Sequence, residues 1–216
     1  MKAIVICEES QEVTKALRAK GITAYSCDLQ TCSGGHPEWH IQDDAIKVVY
    51  SNQWDLMIAH PPCTFITNAG VRWLFKDGRR DEDRWNELRE GSWFFKTLLN
   101  APIKYKAIEN PIPHKYALDI IGRKYDQIIH PYQFGHTETK ATCLWIENLP
   151  KLMPTNNVKQ EMDLLPKNLK NRIHYMSPGP ERTKLRSKTY TGIAEAIADQ
   201  WGNHVMNQLL KHQENQ

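Results

Sequence analysis

Short apolar runs alternate with amphipathic segments through the first half of the chain, and this rhythm constrains the fold more than any other feature. Residues 3–7, 23–27, 54–59 and 105–108 have the length and composition of buried strands. The segments between them have helical spacing, most clearly over residues 81–99. Strands that alternate with helices form parallel sheets with right-handed crossovers. The pattern therefore predicts an α/β fold with a mostly parallel sheet.

Smaller signals predict the connections. Ser10 is expected to cap a first helix that stops at Gly21. Residues 29–40 contain two adjacent glycines and a proline and predict a loop, and residues 41–50 predict a short helix.

The second half of the chain changes in character. Residues 127–132 and 141–146 predict two strands that pair with each other, and residues 193–210 carry one apolar helical stripe. Prolines interleaved with Lys and Arg leave residues 147–189 with little periodicity, which is typical of irregular surface structure. We expect a core over 1–146, a small irregular insertion over 147–189, and a C-terminal helix over 190–216 that completes the core.

Composition sets outer bounds on location and partners. The 216 residues suffice for one good core, and the net charge of +3 permits a polyanionic partner without requiring one. No apolar run approaches a membrane span and the N-terminus does not read as a signal peptide, so a cytoplasmic location is expected. The oligomeric state is left open.

The cysteines predict free thiols. There are five, an odd number, and no two form a CxxC pair. Cys27, Cys32, His36 and His40 imitate a zinc-ligand spacing, but structural zinc sites usually have tighter cysteine pairs. We therefore expect no metal site.

A cysteine stands where the third predicted strand stops. Cys63 follows Pro61 and Pro62, which cannot donate ladder hydrogen bonds and so end the strand and stiffen the turn. The reactive form of such a thiol is the thiolate, which local positive charge would favour by lowering its pKa. His60 and Arg72 are both near in sequence, and which of them faces the sulfur stays open.

A carboxylate ends the next strand. Glu109 is followed by Asn110 and Pro111, a stiff turn that would fix the side chain. Ligands of open α/β sheets bind at the carboxyl edge, so Glu109 and Cys63 are expected to meet in one crevice. Burial would raise the pKa of Glu109 and let it donate a proton near neutrality. This pairing suits attack on a ring that is protonated as it is attacked.

These motifs together resemble a known family. The sequences HPPC at 60–63 and ENP at 109–111, then Gln133 and TGIA at 191–194, are similar to the cytosine carbon-5 DNA methyltransferases in the short form that phages and prophages carry. The similarity runs from Ala3 to about Gly202. It implies a Rossmann-like, S-adenosylmethionine-dependent methyltransferase fold.

The resemblance also implies a mechanism on a flipped cytosine in DNA. Cys63 would attack carbon 6 while Glu109 hydrogen-bonds ring nitrogen 3, and carbon 5 would take the methyl group of S-adenosylmethionine. Asn110 would orient the pocket, and Pro61 would contact the base through its carbonyl oxygen.

On the cofactor side, the resemblance assigns residues position by position. Those of the first loop, at the methionine end, are Glu8, Glu9 and Ser10. Asp28 would accept hydrogen bonds from the ribose hydroxyls. Asp44 would accept one from the adenine amino group, and Asp43 is the alternative for that contact. Pro61 and Gly192 complete the set. Gln11 departs from the family, because short relatives often have glycine there.

On the nucleic-acid side, the resemblance carries over fewer residues. Gln133 is carried over from a Gln and Arg motif that supports the catalytic loop and the target base. The arginines of that motif are missing here, and Lys140 is the nearby residue expected to make such a contact. The remaining expected contacts to base or backbone are Asn68, Arg72, Arg182 and Arg186, within a basic set that also includes Arg172, Lys184 and Lys188. Residues 147–189 replace the separate recognition domain of full-sized members.

Two other functions compete with this one. The same chemistry could act on RNA or on a free pyrimidine nucleotide, because the recognition segment is so short. Alternatively, the chain could be a non-catalytic phage nucleic-acid-binding decoy, an idea motivated by the missing glycine at Gln11.

Overall fold

A computed structural model describes residues 1–68, 73–177 and 179–214. Its centre is a seven-stranded sheet in the order β3-β2-β1-β4-β7-β9-β8, with a separate hairpin made of β5 and β6. The strands are β1 (Lys2–Ile6), β2 (Thr23–Asp28), β3 (His40–Gln42), β4 (Leu56–Ala59), β5 (Phe75–Lys76), β6 (Arg79–Arg80), β7 (Tyr105–Pro111), β8 (Gln127–Ile129) and β9 (Thr142–Glu147).

The sheet is mostly parallel. Strand β4 lies at its centre and pairs in parallel with β1 and β7, and β1 in turn pairs in parallel with β2. Only β9 runs antiparallel to its neighbours β7 and β8 among the strands of this sheet that the structure describes. The Rossmann-like α/β architecture expected from the sequence is thereby confirmed, as is the pairing of the last two strands.

Helices cover both faces of the sheet. The sequence pattern marks them by apolar residues at helical spacing. They are α1 (Glu12–Ala19), α2 (Ala45–Ser51), α3 (Glu82–Leu99), α4 (Lys115–Ile121), α5 (Lys159–Leu164), α6 (Lys167–Lys170), α7 (Arg172–Tyr175), α8 (Pro180–Ser187), α9 (Thr191–Ile197) and α10 (Asn203–Glu214), with a π-helical turn, Ala198–Gly202, between the last two.

Alternate residues of each strand enter opposite halves of the core. On β1, Ala3 and Val5 pack with α1 and the C-terminal helices, and Ile4 and Ile6 pack with α2, α3 and α4. All four are fully buried. Burying such aliphatic side chains stabilises the fold by about 1.5–3 kcal/mol each. The sheet is therefore a firm base for the loops at its carboxyl edge.

The structure corrects several local predictions. Ser10 does not cap α1; the N-cap is Gln11, at φ 58°. The region predicted as loop and helix contains the short strand β3. The hairpin of β5 and β6 was not predicted, although Asp77-Gly78 (φ 49° and 74°) is a favourable two-residue turn. Residues 147–189 form four short helices rather than wholly irregular chain.

In the part of the chain that the structure describes, no helix is both long enough and apolar enough to cross a membrane.

Candidate active site

The loops after β4 and β7 meet at one edge of the sheet. In the parallel pairing Ala59 lies opposite Ile108, so the next residues, His60 and Glu109, are neighbours. The side chain of Asn110, only 1% exposed, donates from Nδ2 to the carbonyl oxygen of Pro61 at 2.8 Å. This hydrogen bond joins the two strand ends and fixes the turn that leads to Cys63.

Cys63 opens a helical turn. Its carbonyl oxygen accepts from the backbone N–H of Thr67 at 3.3 Å and from the Thr67 hydroxyl at 3.1 Å. The residue is half-buried, and the charge of Glu109 acts on its thiol. The structure therefore brings the predicted thiol and carboxylate together.

The thiol of Cys63 is held in its protonated form. Burial raises its pKa above the ordinary value, and the negative charge of Glu109 acts in the same direction. Positive charges on Arg186 and Lys140 oppose this shift without cancelling it. Local positive charge is present as expected, but the expected net lowering of the pKa is wrong because desolvation outweighs it.

The pKa of Glu109 shifts in the opposite direction, below its ordinary value. Burial acts to raise its pKa, as expected, but a hydrogen bond from His60 and the charge of Lys140 bring it below the usual range. Thr142 also lowers it by a hydrogen bond. The prediction of a raised pKa is therefore wrong for the free protein, and Glu109 is ionised near neutral pH.

His60 is the functional residue that sequence reasoning treated only as a neighbour. Its Nδ1 lies 3.0 Å from Oε2 of Glu109, and 6% of its side chain is exposed. Its Nε2 is buried and has no hydrogen-bond partner among the described residues. A histidine directly before the two prolines, at the end of an apolar strand, was the available signal.

Lys140 and Arg186 approach the site from two distant segments. Nζ of Lys140 donates to the carbonyl oxygen of Arg186 at 2.9 Å, which holds the end of α8 against the segment before β9. Both cations act on Cys63, and Lys140 also acts on Glu109. Two cations that are remote in sequence thus act on the same thiol.

Two depressions lie on this face and beside it. A cavity of about 20 Å³, room for about one water molecule, is lined by His60, Glu109, Lys140 and Tyr190 among others. A larger open groove of about 510 Å³ runs between α1 and the C-terminal helices, and neither Cys63 nor Glu109 lines it. The smaller cavity is the one that lies against Glu109.

At the end of β1, Glu8 is already bound by the protein. Its carboxylate accepts from the backbone N–H groups of Val13 at 2.6 Å and Thr14 at 3.2 Å, and from the Thr14 hydroxyl at 2.7 Å. Glu8 is 3% exposed, and burial raises its pKa above the usual value. The Glu8 carboxylate therefore satisfies two of the free backbone N–H groups at the start of α1.

Gln11 keeps a glycine-like backbone. Its φ of 58° lies in the left-handed region that favours glycine. Its side chain donates to Ser26 at 3.2 Å and to the His36 carbonyl at 2.8 Å, and accepts from the His36 N–H at 3.1 Å. It packs so closely on Gly34 that a Cβ there would lie 2.5 Å from that of Gln11.

The other residues of the first loop have structural contacts too. Ser33 donates to Glu9 through both its N–H, at 2.8 Å, and its hydroxyl. Ser10 is 8% exposed. The loop before β3 is thus bonded directly to the loop after β1.

The two predicted nucleoside contacts both act on Cys7. Asp28 ends β2, and Asp44 caps α2, accepting from the Lys47 N–H at 2.9 Å. Burial raises the pKa of the Cys7 thiol, and the charges of Asp28 and Asp44 act in the same direction. Asp43, the alternative, is paired with Lys47 at 2.6 Å. The carboxylate oxygens of Asp28 and Asp44 are hydrogen-bond acceptors, which suit ribose hydroxyls and an adenine amino group. The nucleoside half of S-adenosylmethionine therefore fits these residues.

Gly192 and Gln133 lie where backbone segments meet. A Cβ on Gly192 would stand 2.0 Å from the Phe134 carbonyl oxygen, so only glycine fits, and its N–H donates to Nε2 of His136 at 3.1 Å. Gln133 accepts from the His130 N–H at 2.7 Å and so closes its own turn.

The remaining predicted contacts are scattered. Asn68 is exposed beyond the Cys63 turn, and Arg182 lies on α8, one helical turn before Arg186. Arg72 lies outside the described residues. No group of three or more His, Cys, Asp or Glu side chains that could hold a metal occurs in the described ranges.

Comparisons with known proteins do not assign this chain to a family. No family model matches the chain, and no curated protein matches it. Among solved structures, a methyltransferase from S. pombe, Dnmt2, has a TM-score of 0.40 and 13% identity, with 94% of this chain covered. The chain spans 66% of the length of that structure. The function is therefore inferred from the chain's own side chains.

Proposed function

We propose that this protein is an S-adenosylmethionine-dependent methyltransferase that methylates carbon 5 of cytosine in DNA. The observation that carries the proposal is the meeting of Cys63 and Glu109 at one sheet edge, with Lys140 acting on both. A thiol adds to carbon 6 of a pyrimidine when the charge that develops in the ring is neutralised by a nearby acid. This edge offers both groups.

Each residue has a distinct task in the proposed reaction. Cys63 loses its proton to solvent and bonds to carbon 6. Glu109, which is ionised in the free protein, takes up a proton from solvent when the bound base buries it further, and gives that proton to ring nitrogen 3. The ring becomes a neutral enamine whose carbon 5 is nucleophilic. Lys140 and Arg186 favour the thiolate, because their charges lower the pKa of Cys63. Once carbon 5 has lost its proton, Cys63 departs and nitrogen 3 returns its proton to Glu109.

The nucleoside half of the cofactor would be held by Asp28 and Asp44, whose charges both act on Cys7 at the end of β1. S-adenosylmethionine, when bound, supplies the methyl group. Asn110 would keep the Pro61 carbonyl in place beside the base.

DNA is the proposed substrate because a basic segment adjoins the thiol. Arg186 acts on Cys63 from α8, which also carries Arg182 and Lys184. Phosphate contacts of this kind position an enzyme on its substrate. The target base would leave the stack to reach the sulfur.

A trapping experiment tests the proposal. The protein is incubated with S-adenosylmethionine and a duplex that contains 5-fluorocytosine, whose carbon-5 substituent cannot leave as a proton. We expect a covalent adduct on the peptide that contains Cys63. An RNA duplex of the same sequence and the free 5-fluorinated nucleotide run in parallel, and an adduct with one of these alone would move the proposal to that substrate. No adduct in any arm, or one on another cysteine, would contradict it.

One observation favours a second candidate, a nucleic-acid binder without catalysis. Glu8 and Gln11 direct their polar atoms to the protein itself, at the place where the family binds the methionine end of the cofactor. Titration calorimetry with S-adenosylmethionine distinguishes the two. Micromolar binding would exclude the second candidate, whereas retained DNA binding without cofactor binding would support it.

A further inference from the structure

His60 is placed by the sheet rather than by a flexible loop. Its backbone N–H donates to the Ile6 carbonyl oxygen at 2.9 Å, which continues the β1–β4 pairing by one residue. Its side chain is 6% exposed, and its Nδ1 lies 3.0 Å from Oε2 of Glu109. Because a carboxyl oxygen in this contact accepts, Nδ1 is the nitrogen that carries a proton.

Two carboxylates interact with His60. Glu109, 20% exposed, is its hydrogen-bond partner. Burial raises the pKa of Glu8, and His60 acts on that carboxylate in the opposite direction. Lys140 and Arg186 also act on Glu109 or Cys63. On β9, burial raises the pKa of the Cys143 thiol to about 12, and the charge of Glu109 acts in the same direction. The imidazole of His60 is thus bonded to the end of β7, and the backbone N–H of the same residue is bonded to β1.

We propose that His60 is a positioning residue for Glu109, whose Oε2 it holds through Nδ1–H while Oε1 exchanges a proton with the target ring. This assignment rests on the proposed function. The proton that moves is the one on Oε1, and it returns from ring nitrogen 3 when Cys63 leaves. His60 keeps its Nδ1 proton throughout and stabilises the carboxylate that exists between these two steps.

The proposal has a consequence for pH dependence. Burial acts to raise the pKa of Glu109, and the hydrogen bond from His60 is the first of the contacts that oppose it. Without His60, Glu109 keeps its proton to higher pH and is a weaker acid. The alkaline limb of the rate profile, which requires protonated Glu109, should then move to higher pH.

The test compares His60→Leu with His60→Asn. Leucine removes the donor, whereas the asparagine amide can donate from near the Nδ1 position but cannot become charged. On the pH plateau of kcat, where Glu109 in the DNA complex is protonated, we expect kcat to fall about 100-fold in His60→Leu, the loss typical of a misplaced catalytic group. His60→Asn should recover about tenfold of this loss by restoring the donor. In His60→Leu the alkaline limb should move upward by about one pH unit, the size of an ordinary shift for a carboxyl group.

The control is His204→Asn. This substitution removes a half-buried imidazole of α10 that packs near Tyr105 of β7. It should leave both rate and profile unchanged. A uniform loss at every pH in His60→Leu, with no recovery in His60→Asn, would overturn the proposal in favour of a merely structural role. Thermal unfolding of each variant identifies one that fails to fold.

A second readout separates this inference from the proposed function. In the free protein labelled with ¹⁵N-histidine, we expect a ring protonated at Nδ1 whose signal shifts in Glu109→Gln. If wild-type protein forms no methylated product and no adduct, the proposed function fails, and the spectrum still decides whether His60 and Glu109 are paired. An Nε2–H tautomer that is insensitive to Glu109→Gln would contradict the pairing.

Discussion

The two halves of the sheet edge use their polar side chains differently. At the ends of β4 and β7, His60 Nε2 and Asn110 Oδ1 are buried without partners among the described residues. At the ends of β1 and β2, Glu8 and Gln11 have all their described hydrogen bonds within the protein. An unsatisfied buried polar atom costs about 1–3 kcal/mol. The first half thus keeps buried polar atoms that no described residue satisfies, whereas the polar groups of the second half support the fold.

The largest effect is expected from Cys63→Ser. The hydroxyl is a far poorer nucleophile than the thiolate, so methyl transfer should fall to background, a loss on the order of 10⁴-fold or more, as for other nucleophile deletions. Stability should change by less than about 1 kcal/mol, because the residue is only half-buried. Radiolabelled methyl transfer and thermal unfolding measure the two.

Cys32→Ser is the matched control, since Cys32 is also half-buried but lies in the loop before β3. It should keep wild-type activity. Equal loss in both variants, or retained transfer in Cys63→Ser, would remove Cys63 from the mechanism.

The next largest effect is expected from Glu109→Gln. The amide keeps the size of the side chain but cannot give a proton to the ring, so kcat/KM should fall by about 10²–10⁴-fold, the usual contribution of general acid catalysis. Glu147→Gln is the control. Glu147 pairs with Lys106 at 3.3 Å and lies opposite it in the β7–β9 register, at the other edge of the sheet.

Activity that falls equally in Glu109→Gln and Glu147→Gln would indicate a general loss of structure. Activity that is unchanged in Glu109→Gln would separate the carboxylate from the chemistry.

Periodicity predicts the architecture well because the central strands are buried on both faces. Ile4, Ile6, Met57 and Ile58 are apolar without alternation, as a strand between two helical layers requires. The short strand β3 escapes such reasoning, since its three residues are not fully buried and it is defined by pairing with β2. Pairing of that kind is a tertiary property.

Sequence reasoning predicts which strand ends meet, but not the electrostatics there. The strand ends place Cys63 and Glu109 together, because adjacent parallel strands end at the same edge. The directions of their pKa shifts depend on His60, Lys140 and Arg186, and the last two are 77 and 123 positions from Cys63 by the numbering. No local pattern indicates that these cations fold back onto the thiol.

Gln11→Gly tests the second half of the edge. Glycine relieves a left-handed backbone that costs about 1–2 kcal/mol, but it removes three side-chain hydrogen bonds worth about 0.5–1.5 kcal/mol each. We expect a net loss of about 1–2 kcal/mol in the free energy of unfolding, by urea denaturation. The loop before β3 should also become less ordered, because the bonds between the Gln11 side chain and the His36 backbone are lost.

The cofactor affinity of Gln11→Gly sharpens the comparison. Tighter binding of S-adenosylmethionine than in the wild type would mean that Gln11 occupies space the cofactor needs. Unchanged affinity together with unchanged stability would contradict the structural role given to its side chain.

The smallest effect on stability is expected from Asp44→Asn. Asparagine caps helices about as well as aspartate, so the hydrogen bond from the Lys47 N–H should persist and stability should change by less than about 0.5 kcal/mol. Asp44→Ala, which removes the cap, should cost about 1 kcal/mol. If the carboxylate also binds the adenine amino group, both variants should weaken cofactor binding by about tenfold, the loss of one charged hydrogen bond. Weaker binding only in the alanine variant would instead mean that Asp44 serves α2 alone, and that the end of β1 and β2 is built for folding rather than for a nucleoside.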